Sequence, residues 1–115
     1  MKTWVIQVAQ DFTRVAVPLP NGRLREGVRF RGSPEEIVDR LVAHLERQYR
    51  NERFNFLVLN ADRSKIKVFR TAFEPDLARL ILVEDDRDNS DRDLDHLSAR
   101  YEQHAEPKGR GKKWR

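Results

Sequence analysis

Four arginines within nine residues, Arg23, Arg25, Arg29 and Arg31, are the first side chains whose spacing could do chemistry. On an extended chain, odd-numbered positions share one face, so this row, with Arg14 on a neighbouring strand, could track a phosphate backbone. The competing reading is that charges guard an edge strand against pairing with other chains. A second basic group closes the sequence: Lys108, Arg110, Lys112, Lys113 and Arg115, with Trp114 among them. Such a tail could fold onto RNA, where stacking contributes about 1–3 kcal/mol per base; it could equally be a solubilising end.

The carboxylates offer a different chemistry. Acids at the ends of adjacent central strands can hold two divalent metals about 4 Å apart. Asp11 follows the first predicted strand and Asp62 the fourth, and Asp85, Asp86 or Asp88 follows the fifth. Asp is also an ordinary loop residue, so this trio, Asp11, Asp62 and Asp85, stands as an alternative only. His44, His96 and His104 have no metal-ligand spacing. His44 falls on the rim of an apolar helical stripe, where packing is the simpler role. Ser33, Ser64, Ser90 and Ser98 lie outside any nucleophile-elbow context, and no glycine-rich phosphate loop is present. No cofactor is implied.

What positions these residues is a chain of 115 residues, enough for one domain with its own core. It is 38% hydrophobic and 37% charged, with a formal charge of +4. Without cysteine it can have neither disulfides nor thiol chemistry. The opening MKTWVIQVAQ lacks an apolar region long enough for a signal peptide. No run reaches the ~18 apolar residues that span a bilayer. A cytoplasmic protein is expected.

The most continuous apolar run, FNFLVLNAD at 54–62, reads as a strand buried on both faces of a parallel region. Before it, residues 3–9 and 12–19 alternate as strands, and Pro18 and Pro20 end the second. Asn21-Gly22 marks a hairpin. Residues 23–31 then place Leu24, Val28 and Phe30 on one face and the arginines on the other, with Gly27 as a candidate bulge. Ser33-Pro34-Glu35-Glu36 carries the cues of a capped helix start. Ile37, Val38, Leu41, Val42, Leu45 and Tyr49 give that helix one apolar stripe, running to about Arg50. A second helix is expected over 64–73, a short parallel strand over 80–84, and a last helix over 93–104 with Leu94, Leu97 and Tyr101 on one side. The tail from 105 onward is expected to be flexible.

The order β-β-β-α-β-α-β-α is the plan of a ribonuclease H-like α/β domain over residues 1–104. It predicts a mixed five-stranded sheet, strand order 3-2-1-4-5, its first three strands antiparallel and helices on its faces. Several segments together resemble the bacterial host attachment protein family, related to the middle domain of archaeal and eukaryotic peptide-chain release factors. They are TWVIQVAQD with FTRVAV, NGRLREGVRF, FNFLVLNA and, most specifically, the stretch 91–98, DRDLDHLS, followed by ARYEQH. That resemblance implies the same fold and a distant link to translation. Where relatives carry a long polar insertion before the first helix, only Gly32 and Ser33 stand here. The Gly-Gly-Gln tripeptide of release factors is absent, which argues against release activity. The expectation is a non-catalytic domain associating with RNA or a ribosomal component. A protein–protein adaptor or homo-oligomer, and a metal-dependent nuclease, are the alternatives.

Overall fold

The computed structural model describes residues 2–86. The predicted last helix, the DRDLDHLS stretch and the basic tail lie outside them, as do His96, His104, Ser90, Ser98 and Asp88. Five strands form one mixed sheet in the order β3-β2-β1-β4-β5, as the sequence predicts. They are β1 (Thr3–Val8), β2 (Phe12–Pro18), β3 (Leu24–Arg31), β4 (Phe56–Asn60) and β5 (Ile81–Asp85). β1 pairs antiparallel with β2 and parallel with β4; β5 extends the parallel half. The β2–β3 hairpin closes through residues 19–23, where Gly22 takes a left-handed φ of 91° that glycine adopts without penalty.

Two helices carry the crossovers. α1 (Pro34–Arg50) starts in a full capping box: Glu36 N–H donates to Ser33 Oγ at 3.3 Å and Ser33 N–H donates to Glu36 Oε1 at 2.8 Å. The two bonds satisfy donors that a helix N-terminus otherwise leaves unpaired. α2 (Arg63–Phe73) ends at Glu74-Pro75, and a single 3-10 turn at Ala78–Leu80 leads into β5. Ile37, Leu41 and Leu45 of α1 and Ile66, Phe69 and Phe73 of α2 meet Trp4, Ile6, Val8, Val15, Leu57 and Leu59 in one core. Both described helices therefore cover the same face of the sheet. On the opposite face Val5, Ala16, Val58 and Val83 form a second, smaller cluster with Leu24 and Leu82 beside it. β4 thus feeds both cores, Leu57 and Leu59 one way and Val58 the other, as expected of a strand buried on two faces. Among the described residues no helix is long and apolar enough to cross a membrane.

Candidate nucleic-acid interface

β3 is a sheet edge, and a one-residue surplus in it decides where its arginines point. Val28 stands opposite Val15, but the next pair is Glu26 opposite Ala16, which leaves Gly27 as an extra residue. A Cβ at Gly27 would sit 3.1 Å from Val17 Cγ1 and 3.4 Å from the Val15 carbonyl, so a larger residue at the bulge would push the Val17 side chain aside by a few tenths of an ångström. Side chains directly opposed across an antiparallel pair share a face. Arg25, opposite Val17, therefore projects on the helix-covered side, whereas Arg29, opposite Arg14, and Arg31, opposite Phe12, project on the other. Leu24 likewise belongs to the second cluster and not to the face of Val28 and Phe30. The single arginine row predicted from alternation is corrected to two half-rows, because the bulge reverses the phase. Arg23 falls in the hairpin loop, its N–H donating to Asn21 Oδ1 at 2.9 Å.

The half-row beside Arg14 is tied down. Arg29 Nη2 donates to Glu26 Oε1 at 2.8 Å, Arg14 Nη1 lies 3.6 Å from the same oxygen, and Arg14 Nε donates to Gln7 Oε1 at 2.6 Å. The Arg29 guanidinium also stacks over the Phe12 ring, 4.3 Å from its centroid. The Arg29 hydrogen bond, with help from Arg14, holds the Glu26 carboxyl below the usual carboxylate range. By contrast Arg25, Arg31 and Arg40 pair with no carboxylate among the described residues and are exposed. Arg40, from α1, reaches the same edge: its Nη2 lies 3.5 Å from the Arg31 carbonyl and its guanidinium 6.0 Å from the Phe30 ring centroid. The basic run at 63–70 is different. Arg63 pairs with Asp86, Lys65 with Glu35 and Arg70 with Glu84, so most of its charge is already balanced. The β3 edge thus keeps exposed cations without carboxylate partners among the described residues, as do Arg47, Arg50 and Arg53 around the end of α1.

At the C-terminal end of the parallel strands lies a feature that alternation did not single out. Asp85, Asn60, Gln7, Arg14 and Arg29 oppose one another in succession across β5, β4, β1, β2 and β3. Asp85, Asn60 and Gln7 are buried, and Asn60 Nδ2 donates to the Asp85 carbonyl at 3.0 Å. The signal for the two amides is in the sequence, as lone polar residues in the apolar runs VIQVA and FLVLN; only the register lines them up. The alternative metal trio is not brought together. Asp11 is exposed in the β1–β2 turn, Asp62 accepts from Ser64 Oγ at 2.6 Å at the start of α2, and Asp85 lies in the buried row. Among the described residues no three of His, Cys, Asp and Glu could hold a metal ion. Gln7 and Asn60, the opposed side chains at the ends of the central strands, are neutral amides without charge to offset a cation.

His44 packs between the rings of Trp4, 6.5 Å away, and Phe30, met edge-on at 6.0 Å. Burial, with the Arg47 charge adding to it, lowers its pKa below the ordinary 6.5. The unfolded chain then takes up this proton first as pH falls. Stability contributed by neutral His44 is therefore complete above pH 6.5 and is lost as pH drops toward the lowered folded value. Urea titrations across pH 7.5 to 5 are expected to show that loss, and His44→Gln to flatten it.

No protein-family model matches the chain, and no curated protein matches it. A solved structure does. The chain folds like a part of archaeal Pelota. Pelota of Archaeoglobus fulgidus, whose crystal structure reveals inter-domain structural plasticity, superposes with a TM-score of 0.64 at 16% identity. The match covers 87% of this chain but 31% of that one, so the chain spans about a third of Pelota's length. At this identity the likeness is one of fold, and it agrees with the mixed sheet expected from the strand order.

Proposed function

We propose that the chain is a non-catalytic binding domain whose partner is RNA, in a ribosomal setting, held along the β3 edge. The observation that carries this reading is that Arg25, Arg31 and Arg40 are spread along one sheet edge, exposed and without carboxylate partners among the described residues. The Pelota-like fold and the resemblance to release-factor middle domains support the setting. Arg25 reaches one side of the edge and Arg31 the other, about six strand residues or roughly 20 Å apart, a span suited to a nucleic-acid strand laid along it. The tail residues Lys108, Arg110, Lys112, Lys113, Trp114 and Arg115, outside the described residues, would add phosphate and stacking contacts of their own.

Fluorescence anisotropy with a labelled single-stranded RNA tests the reading. Each phosphate contact contributes about 0.7 to the slope of log affinity against log salt. Removing three through Arg25→Gln, Arg31→Gln and Arg40→Gln should lower that slope by about 2. Absence of salt-sensitive binding to the parent chain would refute an RNA partner. An unchanged slope in the triple variant would refute the edge as its site.

A further inference from the structure

Burial on the helix-covered face of the sheet falls away toward β3. The register sets Val8, Thr13 and Phe30 in one row across β1, β2 and β3, and Ile6, Val15 and Val28 in the next. In both rows the β1 and β2 members keep 9% or less of their surface, whereas Phe30 and Val28 on β3 are only half-buried. Val17, next along the same face of β2, is half-buried as well. α1 thus covers the inner strands and leaves a shallow trough between itself and the β3 edge, floored by Val17, Val28 and Phe30. Arg40, His44 and Arg47 recur at i, i+4 and i+7 and so share one flank of α1. That flank borders the trough: His44 meets the Phe30 ring edge-on, and the Arg40 guanidinium lies 6.0 Å from its centroid. Arg47 follows about 10 Å down the helix axis. Across the trough Arg25 projects on the face of Val17, which it opposes. Neither β2 nor β3 places a carboxylate on this face, since Glu26 opposes Ala16 on the other, and Glu36 of α1 is engaged in the capping box.

We infer that this trough is a stacking site for an unpaired nucleobase, which makes the RNA held at the β3 edge single-stranded. The inference rests on the RNA reading above and narrows it to one class of strand. A base laid on the floor gains dispersion contacts with the Phe30 ring and the two valines, while the phosphates on either side of it meet Arg25, Arg40 and Arg47. His44, held neutral at pH 7 by burial and by the nearby Arg47 charge, adds a further ring without adding charge. A duplex keeps its bases paired inside, so it would make the phosphate contacts and leave the floor bare. An acidic peptide would match the cations but has no flat face to set on Phe30.

Fluorescence anisotropy on the full chain tests this with two probes, a labelled single-stranded RNA and an abasic strand of equal length and charge. The parent should bind the RNA on the order of tenfold more tightly, the scale of stacking one base, and Phe30→Leu should bring that ratio close to one. Arg47→Gln, a change on exposed surface, should weaken both probes and lower the salt slope by about 0.7. Salt-sensitive binding of both strands with equal affinity would overturn the inference and leave the RNA reading standing. Binding of neither strand would remove that reading and the inference with it. An unchanged ratio in Phe30→Leu, with circular dichroism showing the fold intact, would place the stacking away from the trough and overturn it, as would an unchanged slope in Arg47→Gln. A polyglutamate of equal charge that binds as tightly as the RNA, and is weakened by Phe30→Leu, would assign the trough to an acidic protein partner and overturn the inference as well.

Discussion

Replacing Asn60 by aspartate is expected to cost about 3–5 kcal/mol of folding stability, the scale of an uncompensated buried charge. Asn60 is 2% exposed and its Nδ2 donates to the Asp85 carbonyl. A carboxylate there has no proton to give, so it would turn an oxygen toward that carbonyl beside the Asp85 side chain opposite it in the register. Domains of this size carry about 5–15 kcal/mol in total, so urea denaturation at pH 7 should show a large fall in midpoint. The introduced carboxyl has its pKa raised by burial, and its penalty applies where the unfolded chain is ionised and the folded one resists ionisation. The difference from the parent should therefore shrink as pH falls toward 4. A penalty that is small and flat with pH would mean that the polar row is open to water.

Phe69→Ala should cost a similar ~3–5 kcal/mol for a different reason. α2 has eleven residues, too short to persist as an isolated helix in water. Its stability comes from the face formed by Ile66, Phe69 and Phe73, of which Phe69 is fully buried and meets Phe73 edge-on at 6.2 Å. Truncation leaves a ring-sized cavity that the surrounding strands cannot close. Thermal and urea unfolding should both register the loss, whereas Lys67→Ala on the exposed side should stay within ~0.5 kcal/mol.

These two sites mark what could be read along the chain and what could not. α1 ran as its cues required because each cue is local: a serine cap, a proline at the first turn, a glutamate three residues on. The strand order followed from the sense of each crossover, and the buried nature of β4 from its unbroken apolar run. The facing of β3 was not legible by alternation. Gly27 was recognisable as a bulge candidate, but its consequence depends on where the surplus residue falls against β2, a contact between strands. The same holds for Gln7 and Asn60. Each is a polar residue in an apolar run of its own strand, and only pairing sets one against the other. The acids misled for the opposite reason: Asp11 and Asp62 are near strand ends in sequence, but they serve a turn and a helix start. As for the candidate interface, Arg40 was invisible because it arrives from α1.

The surplus residue at Gly27 also makes the two ends of the β2–β3 hairpin unequal in their tolerance of changes in chain length. Residues added to or removed from the 19–23 loop alter only how the strands are joined. Deleting one residue within 25–29 would restore unbroken alternation, and Arg25 and Leu24 would then trade faces. A hydrophobic side chain would leave the second cluster and an arginine would enter it. Length variation in this hairpin is thus confined to its tip, and the β3 edge keeps its pattern of charge through a residue that carries none.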